Sequence, residues 1–390
     1  MTASGEAIRR PVIVGAGLSG AVVARLLAEG GVASVVVDER DHIAGNCHTE
    51  IDEETGVLVH RYGPHIFHTD DEEVWDFVNA HTRFMPYVNR VKAVVGGRVY
   101  SMPINLHTIN QFFGKTMNPA EAEAFIRGKA EPVPNPETFE EQAVSGVGRE
   151  IYEGFFAGYT RKQWGVEPSR LPASILKRLP VRFTYDDNYF AHRFQGMPEH
   201  GYTPMVASIL DHDLIDVRLG ESFDAARLGD GGHVFYSGPI DRYFDHRFGR
   251  LGYRTLDFEE LRSEEDFQGV AVMNYCDQST PWTRITDHKY FSPWRLGEVR
   301  GSLVYREYSR ACGEDDIPYY PIRLVDEKAM LSKYADLAEV ENGVTFLGRL
   351  GTYRYLDMDK TIAEAFVVGR AALAAFRGSA PLKSVYSDLS

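Results

Sequence analysis

Residues 11–30 read Pro11-Val12-Ile13-Val14-Gly15-Ala16-Gly17-Leu18-Ser19-Gly20-Ala21-Val22-Val23-Ala24-Arg25-Leu26-Leu27-Ala28-Glu29-Gly30. A short β-branched run meets a Gly15-x-Gly17-x-x-Gly20 turn and passes into a helical pattern, which is the fingerprint of a dinucleotide-binding strand–turn–helix. Gly15 permits the tight turn, Gly17 lets a pyrophosphate approach the backbone, and Gly20 lets the helix pack closely on the strand. Leu18 and Ser19, between the second and third glycines, belong to the same cofactor turn, and the free N–H groups and dipole at the start of the helix from Ala21 suit phosphate. A second strand, 33–37, ends at Asp38, 18 residues beyond Gly20. A carboxylate there meets an adenosine ribose hydroxyl. Asp38 carries that role ahead of Glu39, because it directly ends the apolar run. A glycine turn alone also occurs in ordinary α/β packing. The two strands and the terminal acid make this one a nucleotide site.

Outward from that unit, composition bounds the rest. The 390 residues are enough for two or three domains sharing large cores. The net charge of −14 excludes the basic footprint of a nucleic-acid binder. An anionic ligand must then be held by a local arginine cluster. Cys47, Cys276 and Cys312 are odd in number and far apart, which argues against a disulfide framework or structural metal and for a reducing compartment. No apolar run suits a membrane span, and the first apolar run is already the nucleotide-binding strand, not a signal peptide. The expectation is a cytoplasmic protein without membrane insertion.

Along the chain, a polar loop containing Asn46 follows Asp38, then Arg61-Tyr62-Gly63-Pro64-His65-Ile66-Phe67-His68-Thr69, a turn that sets two histidines three apart. Residues 70–80 predict a helix with acids in its first turn. Residues 87–102 alternate through Gly96-Gly97 and predict a β-hairpin. From 105 to about 177 the pattern is helical, broken by Pro132, Pro134 and Pro136. Residues 178–204 lose that periodicity and read as an aromatic, proline-containing loop at a ligand site. Strand-like runs over 252–310 predict an antiparallel sheet. The fold class is α/β: a Rossmann-type domain with an inserted helical domain and a twisted antiparallel sheet domain. The expected boundaries are 1–85 with 205–240 and 321–390 for the nucleotide domain, 104–180 for the helical domain, and 86–103 with 181–204 and 241–320 for the sheet and lid.

The last segment bears on the cofactor. A strand ends near Gly348-Arg349, and Tyr353-Arg354-Tyr355-Leu356-Asp357-Met358-Asp359 leads into a helix to Phe376. Asp357 or Asp359 can cap it. A helix start at that place supports negative charge on a flavin pyrimidine ring, which favours FAD over NAD.

With His65-Ile66-Phe67-His68, Phe155-Phe156-Ala157-Gly158-Tyr159-Thr160-Arg161-Lys162-Gln163-Trp164, Asp186-Asp187-Asn188-Tyr189 and Tyr353-Arg354-Tyr355 in view, the chain resembles the bacterial UDP-galactopyranose mutases from about residue 11 to about residue 376. The resemblance implies FAD, active when reduced, and interconversion of UDP-galactopyranose and UDP-galactofuranose without net redox change. In that family N5 of the reduced flavin is the nucleophile at the galactose anomeric carbon, displacing UDP. By motif, Phe155 and Tyr159 sandwich the uracil, being one helical turn apart, with Thr160 and Trp164 beside them. Arg178, on a mobile lid, and Arg284 hold the diphosphate, where planar charged forks suit phosphate oxygens. Arg349 serves flavin and diphosphate, Tyr189, Tyr320 and Tyr355 orient the diphosphate, and Asn274 meets sugar or flavin. Tyr319 is a rival to Tyr320. His65, Ile66, Gly348, Leu356, Asp357 and Met358 belong to the flavin site, and His68 is one candidate for moving protons, beside the flavin and a phosphate oxygen. Pro64 stands where some relatives have a small residue, and its fixed φ limits that loop. The resemblance also implies an external reductant, NAD(P)H or a reductase, and a homo-oligomer. No metal is expected. Two other classes stay open: an amine-oxidase-type flavin oxidoreductase, which needs an apolar cavity, and a nucleotide-sugar binding protein without turnover.

Overall fold

The computed structural model describes residues 10–178, 181–223, 232–322, 325–378 and 381–387, with the side chains of residues 177, 178, 325 and 326 outside that set. Five parallel strands form the nucleotide-binding sheet, in the spatial order Ile215–Leu219, Ser34–Asp38, Val12–Val14, Val234–Tyr236, Val344–Phe346. Counted along the chain, this is the 3-2-1-4-5 order of a doubly wound sheet, which leaves a crevice at the carboxyl end of its first strand. The helix Leu18–Glu29 follows that strand directly. A Cβ at Gly20 would collide with the Gly15 carbonyl, so only glycine allows this close return. The closing helix, Met358–Phe376, crosses the first one at Gly369, where a Cβ would lie 3.0 Å from Leu26 Cβ.

The second sheet has seven strands, in the order Tyr320–Pro321, Tyr253–Ser263, Ser302–Ala311, Arg284–Asp287, Val272–Tyr275, Val91–Val95, Arg98–Met102. It is antiparallel except where Val272–Tyr275 runs parallel to Val91–Val95. A parallel pair needs a long crossover, and here most of the helical unit lies between the two strands. Gly96 and Gly97, at φ +56° and +73°, make the tight hairpin turn that the sequence predicts. In the helical unit, Asn118 with Glu121 and Thr138 with Glu141 form reciprocal capping boxes that start Pro119–Lys129 and Phe139–Val147.

Residues 194–198 form a strand where their glycine and proline content predicts a loop. Phe194–Pro198 is the middle strand of a three-stranded sheet between Phe67–Thr69 and Phe84–Pro86. Gly196 is needed there because a Cβ would lie 2.8 Å from the Met85 carbonyl oxygen. The pairing sets His68 opposite Gln195.

His60 and His288 are buried side by side in this frame, and the His60 backbone N–H donates to His288 Nδ1 at 3.2 Å. A proton on that nitrogen would face a donor. Burial pushes the His288 imidazole down to about 3, with Arg61 nearby acting the same way, and pushes His60 well below its usual value. The unfolded chain binds these protons near the ordinary value of about 6.5, so below it the unfolded state holds more protons than the native one. Stability therefore rises with pH through this range and falls on acidification, by on the order of a few kcal/mol for His288 and in the same direction for His60. The thermal midpoint should drop steadily from pH 7 to pH 4, and His288→Asn should flatten that slope.

Candidate active site

Two cavities meet in the crevice. One, of about 1190 Å³, runs along Gly15, Gly17, Asp38, Glu39, Arg40 and Gly45. The other, of about 610 Å³, lies between the nucleotide domain, the helical unit and the seven-stranded sheet. Asn46 and Tyr62 line both, so the two form one cleft.

The first cavity fits the diphosphate and ribose of a dinucleotide. Gly17 is the N-cap of the first helix and offers no capping side chain, which leaves first-turn N–H groups for a ligand. Leu18 and Ser19 are buried behind it. Gly45 approaches so closely that a Cβ on it would lie 3.3 Å from Gly17 Cα. Asp38 Oδ2 accepts the Ala16 N–H at 2.8 Å and Oδ1 accepts the Arg40 N–H at 3.0 Å. The carboxylate thus closes the glycine turn as well as facing the cavity. Glu39, beside it, pairs with Arg242 at 2.9 Å. Gly348, at φ +73°, brings the last strand against the first helix, since a Cβ there would lie 2.6 Å from Ser19 Oγ.

The second cavity begins at His65, Ile66, Leu356, Asp357 and Met358. Asp357 is the N-cap of the closing helix, but its side chain makes no capping bond. The capping expectation therefore fails at Asp357, and its carboxylate is left facing the cavity. Asp359 instead accepts the Thr69 hydroxyl at 3.1 Å and is buried. His65 Nδ1 lies 3.0 Å from the Gly63 carbonyl, and burial pushes its imidazole down to about 4. His68 is stacked between Phe190 at 3.6 Å and His192 at 4.6 Å, with Nδ1 unpartnered. Burial lowers its pKa against the opposing pull of Asp357.

Arg349 Nη2 donates to the Leu356 carbonyl at 2.6 Å, and its guanidinium sits 4.8 Å from the Tyr355 ring and 5.8 Å from the Tyr320 ring. Tyr320 and Tyr355 stack at 5.8 Å. Of the adjacent tyrosines, Tyr320 is therefore the ring in this stack, while Tyr319 leans edge-on against Phe258.

The sheet supplies the opposite wall. Asn274 pairs with Arg284, and Arg284 pairs with Glu307, in register across three strands. Directly opposite residues point to the same face, so the three form one polar row, and all line the cavity. Arg284 Nε lies 3.2 Å from Glu307 Oε1, and Nη2 donates to Tyr159 Oη at 3.0 Å. Burial opposes the charge on Arg284, but Glu307 and its neighbours outweigh that and hold it protonated. Asn274 Oδ1 is buried without a partner. Tyr189, whose N–H donates to the Asn89 carbonyl at 2.9 Å, lies close to Arg284.

Tyr159 and Trp164 line the cavity from the helix Gly158–Trp164. Phe155 and Thr160 are not brought there. Thr160 is buried, and Phe155 is 2 % exposed, with its ring edge-on to Tyr100 at 5.3 Å and to Phe112 at 5.2 Å. The segment Tyr152–Ala157 is a π-helical turn, so the α-helical spacing that put Phe155 and Tyr159 on one face does not hold. Phe155→Ala is therefore expected to cost about 3–5 kcal/mol of stability by emptying a packed site. Chemical denaturation of the variant beside the wild type measures that loss. The Arg178 side chain lies outside the described residues. Sequence reasoning missed Glu307 and Asn89. Glu307 shares an inward strand face with Leu303 and Tyr305, and an acid in that alternation is the signal that marks it.

A doubly wound sheet with a cleft along its glycine turn, closed by a second sheet and a helical unit around an arginine–tyrosine wall, defines a Rossmann-type dinucleotide-binding fold. An NAD(P)-binding Rossmann-like domain profile matches residues 13–80, and the UDP-galactopyranose mutase profile matches residues 154–355. A probable UDP-galactopyranose mutase of Klebsiella pneumoniae is 62% identical over 355 residues, covering 91% of this chain and 92% of the relative. A dTDP-fucopyranose mutase of Escherichia coli is 52% identical, covering 92% of this chain and 97% of the relative. A solved structure of reduced UDP-galactopyranose mutase shares the fold over 95% of this chain and 94% of that one, with a TM-score of 0.74 at 15% identity. The chain belongs to the UDP-galactopyranose mutase family. Among the described residues, no helix is long and apolar enough to cross a membrane.

Proposed function

We propose that this protein interconverts UDP-galactopyranose and UDP-galactofuranose on bound FAD. The observation that carries this reading is the polar row Asn274–Arg284–Glu307 facing the Arg349–Tyr320–Tyr355 stack across a cleft continuous with the dinucleotide turn. Gly15, Gly17 and Asp38 would hold the diphosphate and ribose of FAD, and His65, Ile66, Leu356 and Met358 its ring. When bound and reduced, the cofactor would supply a nucleophilic N5 for the galactose anomeric carbon, with no net redox change.

The chain's own residues bind and orient. Tyr159 and Trp164 present aromatic faces to the uracil. Arg284, a permanent cation whose burial Glu307 offsets, meets the diphosphate as its negative charge grows on C1–O cleavage. Arg349, Tyr189, Tyr320 and Tyr355 fix the diphosphate in line. Asn274 Oδ1 accepts from a sugar hydroxyl. His68 holds a neutral imidazole beside the cleft as one candidate for moving a proton during ring opening. Arg178, whose side chain lies outside the described residues, is assigned to the diphosphate by motif alone. We assign the flavin's electrons to an external donor, NAD(P)H or a reductase, and the working form to a homo-oligomer in the cytoplasm.

Stacking one base on one ring contributes about 1–3 kcal/mol, so Tyr159→Ala should weaken UDP binding by that amount with FAD content unchanged. The testing experiment reduces the purified, flavin-loaded protein with dithionite and follows UDP-galactofuranose by chromatography. Conversion to the pyranose supports the reading. The relative named for dTDP-fucopyranose motivates a second arm with dTDP-fucopyranose. Faster turnover there would reassign base and sugar while keeping the chemistry.

A further inference from the structure

Lys162 sits in the motif Gly158–Trp164 but faces away from the cavity that Tyr159 and Trp164 line. Its Nζ donates among four backbone carbonyls, of Tyr275 at 2.7 Å and of Asp277, Thr280 and Trp282 at 2.9 Å each. These four belong to the loop that joins Asn274 to Arg284, the two neighbours of the polar row. An ammonium has three N–H donors and no acceptor, so a ring of carbonyls matches it as it would match a small free cation. Burial pulls the amine down to about 8 against the opposing pull of Cys276 and Asp277, and the converging carbonyl dipoles favour the protonated form. No carboxylate side chain is bonded to this ammonium among the described residues.

The helix is fixed on the same face by Gly158, where a Cβ would collide with the Cys276 carbonyl oxygen. Its far end is held by Arg254, which is 6 % exposed and donates through Nε to the Gln163 carbonyl at 3.1 Å. Ser309 Oγ donates to the same carbonyl at 2.6 Å. A guanidinium at the last carbonyls also satisfies the negative end of the helix. One cation thus ties the helix to the loop before Arg284, and another ties it to the neighbouring strands. The Tyr159–Arg284 bond, at 3.0 Å, bridges the two parts that are joined in this way.

We propose that Lys162 is a tethered cation filling a carbonyl-lined site in the 275–282 loop, and that it acts as a positioning residue setting Asn274 and Arg284 against Tyr159 and Trp164. This rests on the reading of that wall as the nucleotide-sugar site. Without the ammonium the four carbonyls lose their common partner, the loop relaxes, and the two halves of the wall separate. The ligand class the emptied site would take is a primary alkylammonium.

The test uses the FAD-loaded Lys162→Ala variant, which leaves a channel the length of n-propylammonium, and the Lys162→Met variant, which fills the channel without N–H donors. Both should keep flavin and fold. Both should lose UDP affinity by about ten-fold or more, the loss of roughly one to two hydrogen bonds' worth of positioning. n-Propylammonium chloride should restore the alanine variant saturably and leave the methionine variant unchanged, while tetramethylammonium chloride at the same ionic strength restores neither. Unchanged UDP affinity in both variants would overturn the proposal. So would loss of flavin or fold in both, which makes the lysine a folding residue, or a loss in the alanine variant that n-propylammonium does not relieve. Wild-type turnover of UDP-galactofuranose in the same buffers tests the mutase reading separately. Wild type that binds UDP without turning the sugar over would sink that reading and leave the clamp standing.

Discussion

Arg284→Ala is expected to retain flavin yet lose turnover by about 100- to 1,000-fold, the loss that follows removal of one preorganised partner of a charge developing in the transition state. The effect has two parts, and they can be separated. Arg284 both faces the cavity and neutralises Glu307, which is 2 % exposed. Removing the arginine alone leaves a buried carboxylate unpaired, at a cost of about 3–5 kcal/mol in stability. The double variant Arg284→Met with Glu307→Gln removes both charges and should recover most of that stability, but none of the activity. Recovery of activity along with stability would show that the arginine serves the fold and not the diphosphate. Lysine at 284 keeps a point charge without the fork, so it should rescue the stability of the pair better than the turnover.

Replacing N5 of the flavin by carbon is expected to abolish conversion altogether. The residues proposed to hold the cofactor are the Gly15–Gly17 turn and Asp38 for its diphosphate and ribose and the segment 356–358 for its ring, all of which line the cleft. The analogue keeps the diphosphate, the ribose and the shape of the ring, so it is expected to bind. A carbon there has no lone pair to offer the anomeric centre. If the flavin served only to shape the site, or to pass electrons onward and take them back, the analogue would leave measurable turnover. Binding measured by flavin absorbance and conversion measured by chromatography distinguish these outcomes in one preparation.

The parts of this protein that were legible in its sequence are those whose chemistry is local. The Gly15-x-Gly17-x-x-Gly20 turn and Asp38 lie within one strand–helix–strand unit, so spacing along the chain equals arrangement in space. The Gly96-Gly97 hairpin is legible for the same reason, since positive φ at two successive residues needs glycine. The wall around Arg284 is different. Asn274, Arg284 and Glu307 face one cavity only because three strands pair in a particular register, and register is set by the whole sheet. Family motifs supplied Asn274 and Arg284; nothing local supplied Glu307. Phe155 does not reach the cavity because one π-helical turn rotates it off the face that a regular helix would give it, a break that spacing along the chain does not announce. The strand Phe194–Pro198 was hidden by Gly196 and Pro198, residues that normally argue against a strand, and tolerated here because the Met85 backbone comes too close for a side chain. Asp357 shows the converse. Its place in the sequence is that of a helix cap, yet its side chain is left to the cavity.

A single count tests the central claim most directly. The FAD-loaded protein is photoreduced anaerobically with one electron pair per flavin, excess reductant is removed, and UDP-galactofuranose is added while the flavin spectrum is followed. With a flavin that acts as nucleophile and keeps its electrons, many molecules of UDP-galactopyranose should form per flavin while the spectrum returns to that of the reduced form after each addition of substrate. Conversion that stops at one product per flavin as the spectrum oxidises, or equal turnover by the oxidised protein, would contradict it.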